Sequence, residues 1–152
     1  MDQAQRPEYE RFVNDVEPRL RRALIAAYGF ERGREATADA LSWAWEHWGR
    51  VGRVNNQVGY LFRVGQSTVR RRRVPISFVR DDYSEPWFEP GLGPALAALS
   101  ERQRMAVVLI HGFDWTMREV AELTGIRITT VQSHLERGLR NLRATMEVTD
   151  HA

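Results

Sequence analysis

Apolar residues recur at helical spacing along most of the chain, and the interruptions mark where one helix gives way to the next. Tyr9, Phe12, Val13, Val16, Leu20, Leu24 and Ala27 step every three or four residues, predicting a helix over 8–28. Pro18 falls inside that stripe and should kink the segment or start a second helix, and Gly29 should end it. Leu41, Trp45 and Trp48 form the stripe of a second helix over 35–48, with Trp43 on the opposite side as an exposed aromatic or a packed one. Val58, Leu61, Phe62, Gly65 and Val69 predict a third helix over 57–73 that finishes in Arg70, Arg71, Arg72 and Arg73.

The pattern then lapses. Residues 74–93 carry three prolines, two glycines and four acids with little periodicity, which reads as a partly extended linker. Periodicity resumes with a short helix at 95–99. Ser100 and Gln103 then stand at capping-box spacing, opening a helix whose apolar face is Met105, Val108, Leu109 and Ile110, together with Val107. Thr116 and Glu119 repeat the spacing, so a helix should begin at Met117 and stop at Gly125, with Ile126 folding back over its last turn. Thr129 and Gln132 repeat it once more and open a longer helix.

That last pair of helices has the form of a helix-turn-helix. In the second of them, Val131, Leu135, Gly138, Leu139, Leu142 and Met146 share one face, while Thr129, Gln132, Ser133, Glu136, Arg137 and Arg140 share the other. A charged face on a helix is usually only solvated, and a purely helical packing module fits the same pattern. Hydroxyl, amide and guanidinium groups at the start of a helix that follows a tight turn point instead to base edges and phosphates in a major groove.

Composition narrows the options further. At 152 residues the chain suits one domain or two small ones. It has no cysteine, and His47, His111, His134 and His151 are scattered, so no thiolate or histidine metal site is expected and no cofactor is called for. No apolar run is long enough to cross a bilayer and no apolar leader opens the chain, so the expected location is cytoplasmic. Neither a nucleophile with a partnered base nor a glycine-rich phosphate loop appears, which argues against an enzyme. The net charge of +2 conceals an uneven distribution, because residues 1–73 hold 14 Arg against 9 acids, residues 74–99 hold 1 against 4, and residues 100–152 hold 7 against 7. Every basic side chain is arginine; a GC-rich coding bias accounts for the total, whereas the cluster Arg70 to Arg73 beside Tyr60 and Phe62 suits a nucleic-acid backbone.

The run from Leu92 to Arg143, with Leu99, Arg102, Gln103, Arg104, Glu119, Ala121, Gly125, Thr130, Val131, Ser133, Arg137, Leu142 and Arg143 in order, resembles the fourth conserved region of extracytoplasmic-function (ECF) sigma factors, a subfamily of the sigma-70 family. The tryptophan-rich helix ending in Trp48, the run Gly59-Tyr60-Leu61-Phe62-Arg63-Val64 and the arginine cluster are similar to the second region of the same family.

The resemblance implies an all-α fold of two small helical domains joined by an acidic, proline-containing linker. Residues 1–73 would be a region 2-like bundle, 74–93 the linker, and 94–152 a region 4-like helix-turn-helix without a wing. It implies a factor that directs core RNA polymerase to promoter DNA, monomeric when free, with an anti-sigma factor as a candidate partner. Carried over by position, Thr129, Thr130, Gln132, Ser133, Glu136 and Arg137 would read the minus-thirty-five element, and Tyr60, Arg63, Ser67, Arg70 and Arg71 would serve the minus-ten element. Ala38, Asp39, Ser42, Trp43 and Glu46 would face the polymerase. The chain departs from the family at Thr37, Ala38, Leu41 and Ser42, where polar polymerase-binding residues are expected, at Ser67 and Arg70, where Asn and Asp are common, and at Gln132 and His134, where basic residues are frequent. The alternatives are a sigma-like protein that does not itself start transcription and a stand-alone helix-turn-helix regulator, although the latter lacks a dimer helix and leaves the first 73 residues unexplained.

Overall fold

The computed structural model describes residues 2–71, 75–78 and 91–151. Every regular element among them is helical. A 3-10 turn, Gln3–Gln5, leads into α1, Arg6–Tyr28, followed by α2, Phe30–Glu46, the single turn α3, Trp48–Val51, and α4, Gln57–Arg71. The second half has α5, Leu92–Ala98, and α6, Glu101–Val107, which runs into a π-type turn at Val108–Gly112. Helices α7, Met117–Thr124, and α8, Ile128–His151, complete the chain.

Pro18 lies inside α1 and does not divide it, so the second-helix alternative is not taken. One residue, Gly29, separates α1 from α2. Its φ of 88° is open to glycine, and a side chain there would collide with the backbone of Ser77. The two helices turn back on each other, because Tyr9 near the start of α1 donates its hydroxyl to Leu41 O near the end of α2 at 2.9 Å. Around that contact Tyr9 meets Trp45 edge-on at 4.9 Å and Phe12 meets Trp48 at 4.9 Å. Helix α4 packs across both α1 and α2, burying Leu61 and Phe62 against them.

Parts of the stretch expected as a linker over 74–93 are held in the fold. Phe30 N donates to Ser77 O at 3.0 Å and Phe78 is buried, so residues 75–78 are fastened to the first half. Helix α5 already starts at Leu92, ahead of the expected position, because Leu92 and Leu96 pack into a cluster with Phe78 and Leu135. The rest of the linker, and Arg72 and Arg73 of the arginine cluster, lie outside the described residues.

The two halves are docked. Met105, Leu109, Trp115, Val120 and Val131 belong to the same apolar cluster as Leu20, Leu24 and Leu61. Among the described residues, polar contacts cross between the halves from Arg19 to Glu119 Oε2 at 3.0 Å, Asn56 Nδ2 to Glu122 O at 2.7 Å, Gln66 Nε2 to Glu101 Oε2 at 3.0 Å, and Arg104 Nε to Ala27 O at 2.8 Å. Leu109 is fully buried where the halves meet. Leu109→Ala should therefore lower stability by about 2–5 kcal/mol, the range for a buried leucine truncated where neighbours collapse only partly. A chemical-denaturation midpoint equal to the parent's would show that this contact contributes nothing.

Candidate nucleic-acid interface

The turn between α7 and α8 is built from local chemistry. Thr116 Oγ1 accepts from Glu119 N at 3.1 Å and Glu119 Oε1 accepts from Thr116 N at 3.0 Å, which starts α7 at Met117 as the spacing requires. Gly125 ends it in the left-handed conformation, φ 74°, with its N–H donated to Ala121 O at 2.8 Å. Ile126 packs against the core just past the turn, as expected.

The start of α8 departs from the expected cap. The helix begins at Ile128 and Thr129 lies within it, so no box forms between Thr129 and Gln132. Arg127 takes the flanking position instead, its carbonyl accepting from Thr130 N and Val131 N, each at 3.0 Å. The spacing misled because Thr and Gln at that separation also occur in a first helical turn. There Gln132 Nε2 reaches Glu136 Oε1 at 3.4 Å and Ser133 Oγ donates to Thr129 O at 3.2 Å.

The face itself is arranged as its periodicity predicts. Thr129, Thr130, Gln132, Ser133, Glu136 and Arg137 are all exposed, and Val131, Leu135 and Gly138 are buried behind them. Gly138 lets α8 approach α6 closely, since a Cβ there would stand 2.8 Å from Val107 Cγ2. Arg127 is exposed beside the helix start, a cation that sequence spacing passed over because it lies in the turn. Its signal was an arginine next to a helix N-terminus, where phosphates bind.

Two titratable groups register the folding of this module. Glu119 is held below its ordinary carboxylate value, chiefly by the Thr116 backbone N–H it accepts and then by Arg19, which also lies 4.4 Å over the Trp115 ring. His134 is pulled below its ordinary 6.5, first by burial and then by Arg102 from α6 and Arg137 from its own helix. Its neutral form is therefore favoured near neutral pH.

The second candidate surface lies on α4. Arg63, Ser67, Arg70 and Arg71 are exposed on it and Tyr60 is half-buried. On α2, Ala38, Ser42 and Glu46 are exposed, and Asp39 and Trp43 are half-buried. Trp43 is thus not a free aromatic. It stacks on His47 at 4.1 Å and stands 5.7 Å from Tyr60, so one aromatic group joins the α2 and α4 surfaces. Two of the departing positions serve the fold, because Thr37 is buried with its hydroxyl donating to Gly33 O at 2.6 Å and Leu41 O holds Tyr9.

Both titrating groups of the module carry the same sign for stability. Each binds its proton less readily in the folded chain, so stability present above the ordinary value is lost as pH falls through the lowered one, from about 6.5 downward for His134 and from about 4.5 downward for Glu119. Glu119→Gln keeps an acceptor for the cap but does not titrate. Its urea midpoint should fall less than the parent's between about pH 5 and pH 3; parallel curves would take Glu119 out of the acid transition.

Residues 92–142 match the family described as Sigma-70, region 4. Comparison with curated proteins finds no match. Among solved structures, the chain is similar to the sigma factor RpoE from Bartonella quintana, crystallised with the anti-sigma factor NepR. The TM-score is 0.66 at 23% identity, over 93% of this chain and 98% of that one. That similarity establishes the fold along nearly the whole length, and the region 4 match places α5 to α8 by sequence. Residues 92–142 are thus similar to region 4 of the sigma-70 family, and the chain as a whole shares the fold of that solved sigma factor.

Proposed function

We infer that this chain binds core RNA polymerase and directs it to promoters, and that α8 is the helix that reads the minus-thirty-five element. The observation that carries the assignment is the face of Thr129, Thr130, Gln132, Ser133, Glu136 and Arg137. It is wholly exposed on the second helix of a region 4 helix-turn-helix, with Val131 and Leu135 buried behind it. Gln132 and Arg137 suit adenine and guanine edges in the major groove, Glu136 suits cytosine, and the hydroxyls suit phosphates. Residues 94–152 would act as this promoter-reading domain. Residues 1–73 would hold the minus-ten surface, with Tyr60, Arg63, Ser67, Arg70 and Arg71, and the polymerase surface, with Ala38, Asp39, Ser42, Trp43 and Glu46. Residues 74–93 would link the two. The polymerase supplies the chemistry and this chain supplies the address.

No helix among the described residues is long and apolar enough to cross a membrane, which fits work beside the polymerase in the cytoplasm. The RpoE neighbour was crystallised with an anti-sigma factor, and we extend to this chain the expectation of such a regulator. One observation favours a second reading, a sigma-like protein that does not start transcription. On α2, Thr37 is buried with its hydroxyl donating to Gly33 O of its own helix, and Leu41 carries an apolar side chain, where the family places polar polymerase-binding residues.

The deciding experiment supplies the purified chain to core polymerase on genomic fragments. Specific transcripts are expected; polymerase binding without transcripts would favour the second reading, and DNA binding without any polymerase binding would return the chain to the regulators. Within the promoter assay, Arg137→Ala should weaken binding to the minus-thirty-five element by about 1–3 kcal/mol with helicity unchanged. Leu135→Ala should do the reverse, lowering stability by about 2–5 kcal/mol through the core. Equal promoter affinity for Arg137→Ala and its parent would remove that residue from the reading face.

A further inference from the structure

The corner between α1 and α2 borders a cavity of about 310 Å³ whose wall is almost wholly apolar. Ile25 and Phe30 of that corner, Phe78, Leu96 of α5, Val108 of the π-type turn and Leu142 of α8 all line it. Phe30 and Phe78 meet edge-on at 6.2 Å, which fixes one side of the wall. The π-type turn shapes another. Phe113 N donates to Val108 O at 3.1 Å, five residues back, and Trp115 N donates to Leu109 O at 2.9 Å, six back. That coil is wider than an α-helix, and it lays Val108, His111 and Gly112 along the cavity. Turns of this kind recur at functional sites.

Polar groups gather at the rim. Among the described residues, His111 is the one lining side chain that carries a polar atom, and it is exposed, so the cavity reaches solvent there. Phe113 also lines it, and the exposed Arg22 holds its guanidinium 6.0 Å over the Phe113 ring. An imidazole and a permanent cation thus flank the mouth. Asp114, the acid next to Phe113 in the chain, does not line the cavity. An apolar interior rejects a ligand that is polar throughout, because buried polar groups would lose their hydrogen bonds to water. At about 30 Å³ for each water-sized group, the size also of a methylene, the cavity takes about ten.

We propose that this cavity is a binding site for an apolar carboxylic acid of about ten carbons, its chain among Ile25, Phe78 and Leu96 and its carboxylate at Arg22 and His111. The guanidinium fork matches a carboxylate in shape and charge, which a neutral or cationic head would not exploit. No residue proposed above to read DNA or to face polymerase lines the cavity, so the site stands apart from those surfaces.

The test titrates decanoate into the full chain by calorimetry. Binding should saturate at one molecule per chain, and octanoate, shorter by two methylenes, should bind about tenfold more weakly. Decanol and decyltrimethylammonium, matched in tail, should each bind at least about tenfold more weakly than decanoate. Arg22→Ala should weaken decanoate by about tenfold and leave decanol unchanged, with Arg22→Lys restoring part of the loss. Equal affinity for the three head groups would overturn the carboxylate assignment. Leu142→Trp, which fills the cavity from its half-buried α8 side, should abolish binding while helicity is kept. If that variant does not fold, nuclear Overhauser contacts from the decanoate tail to the Ile25 and Val108 methyl groups in the parent chain decide the location. No saturable binding by the parent, undiminished binding by a folded Leu142→Trp chain, or tail contacts confined to other residues would each overturn the site.

Discussion

A buried guanidinium without a buried carboxylate bonded to it is an expensive group to place, and the architecture around Arg104 explains why it is stable there. Burial pulls its pKa below the ordinary guanidinium value, while Glu101 and Tyr28 work in the opposite direction. The charge is met by carbonyl dipoles at two helix ends, each of which would otherwise need water or a local cap. Satisfying both with one side chain fixes where α6 sits against α1. That placement in turn sets α7 and α8, because Gly138 allows α8 to lie directly on α6. The placement of α8 relative to the first half therefore depends in part on this one residue.

Size is the second constraint. Each half is small for an independent core, and units of that length bury a modest fraction of their apolar surface. The chain meets this by sharing one cluster, in which Leu109, Trp115 and Val120 of the second half join Leu20, Leu24 and Leu61 of the first. The seam also carries Arg19, Asn56, Gln66 and Arg104, whose polar contacts fix the register in which the two halves meet.

The elements legible in the sequence were those specified by local chemistry. The Ser100–Gln103 and Thr116–Glu119 boxes, the Gly125 stop and the buried Val131–Leu135 side of α8 follow from side chains within a few residues of each other. What escaped was long-range or degenerate. The Arg104–Ala27 bond spans 77 positions, and nothing near either residue announces the other. The helical wheel left Trp43 open as exposed or packed, and it is Tyr60 of α4, together with His47 at the end of its own helix, that covers it in part. Residues 75–78 look like linker by composition and are held by the Phe30–Ser77 backbone bond and by Phe78 in the core, neither of which has a periodic signature. The Thr129–Gln132 spacing was degenerate, fitting a cap and an ordinary first turn equally well.

Long-range contacts of this kind also lie apart from the exposed surfaces. The polar side of α8 and the arginine side of α4 are exposed while the halves are docked, so neither surface is blocked by the other. The contacts of Arg104 that join the halves and the exposed face that begins at Thr129 fall on different residues, so under the proposed function a change on that face alters what is read without loosening the packing that holds α8 in place.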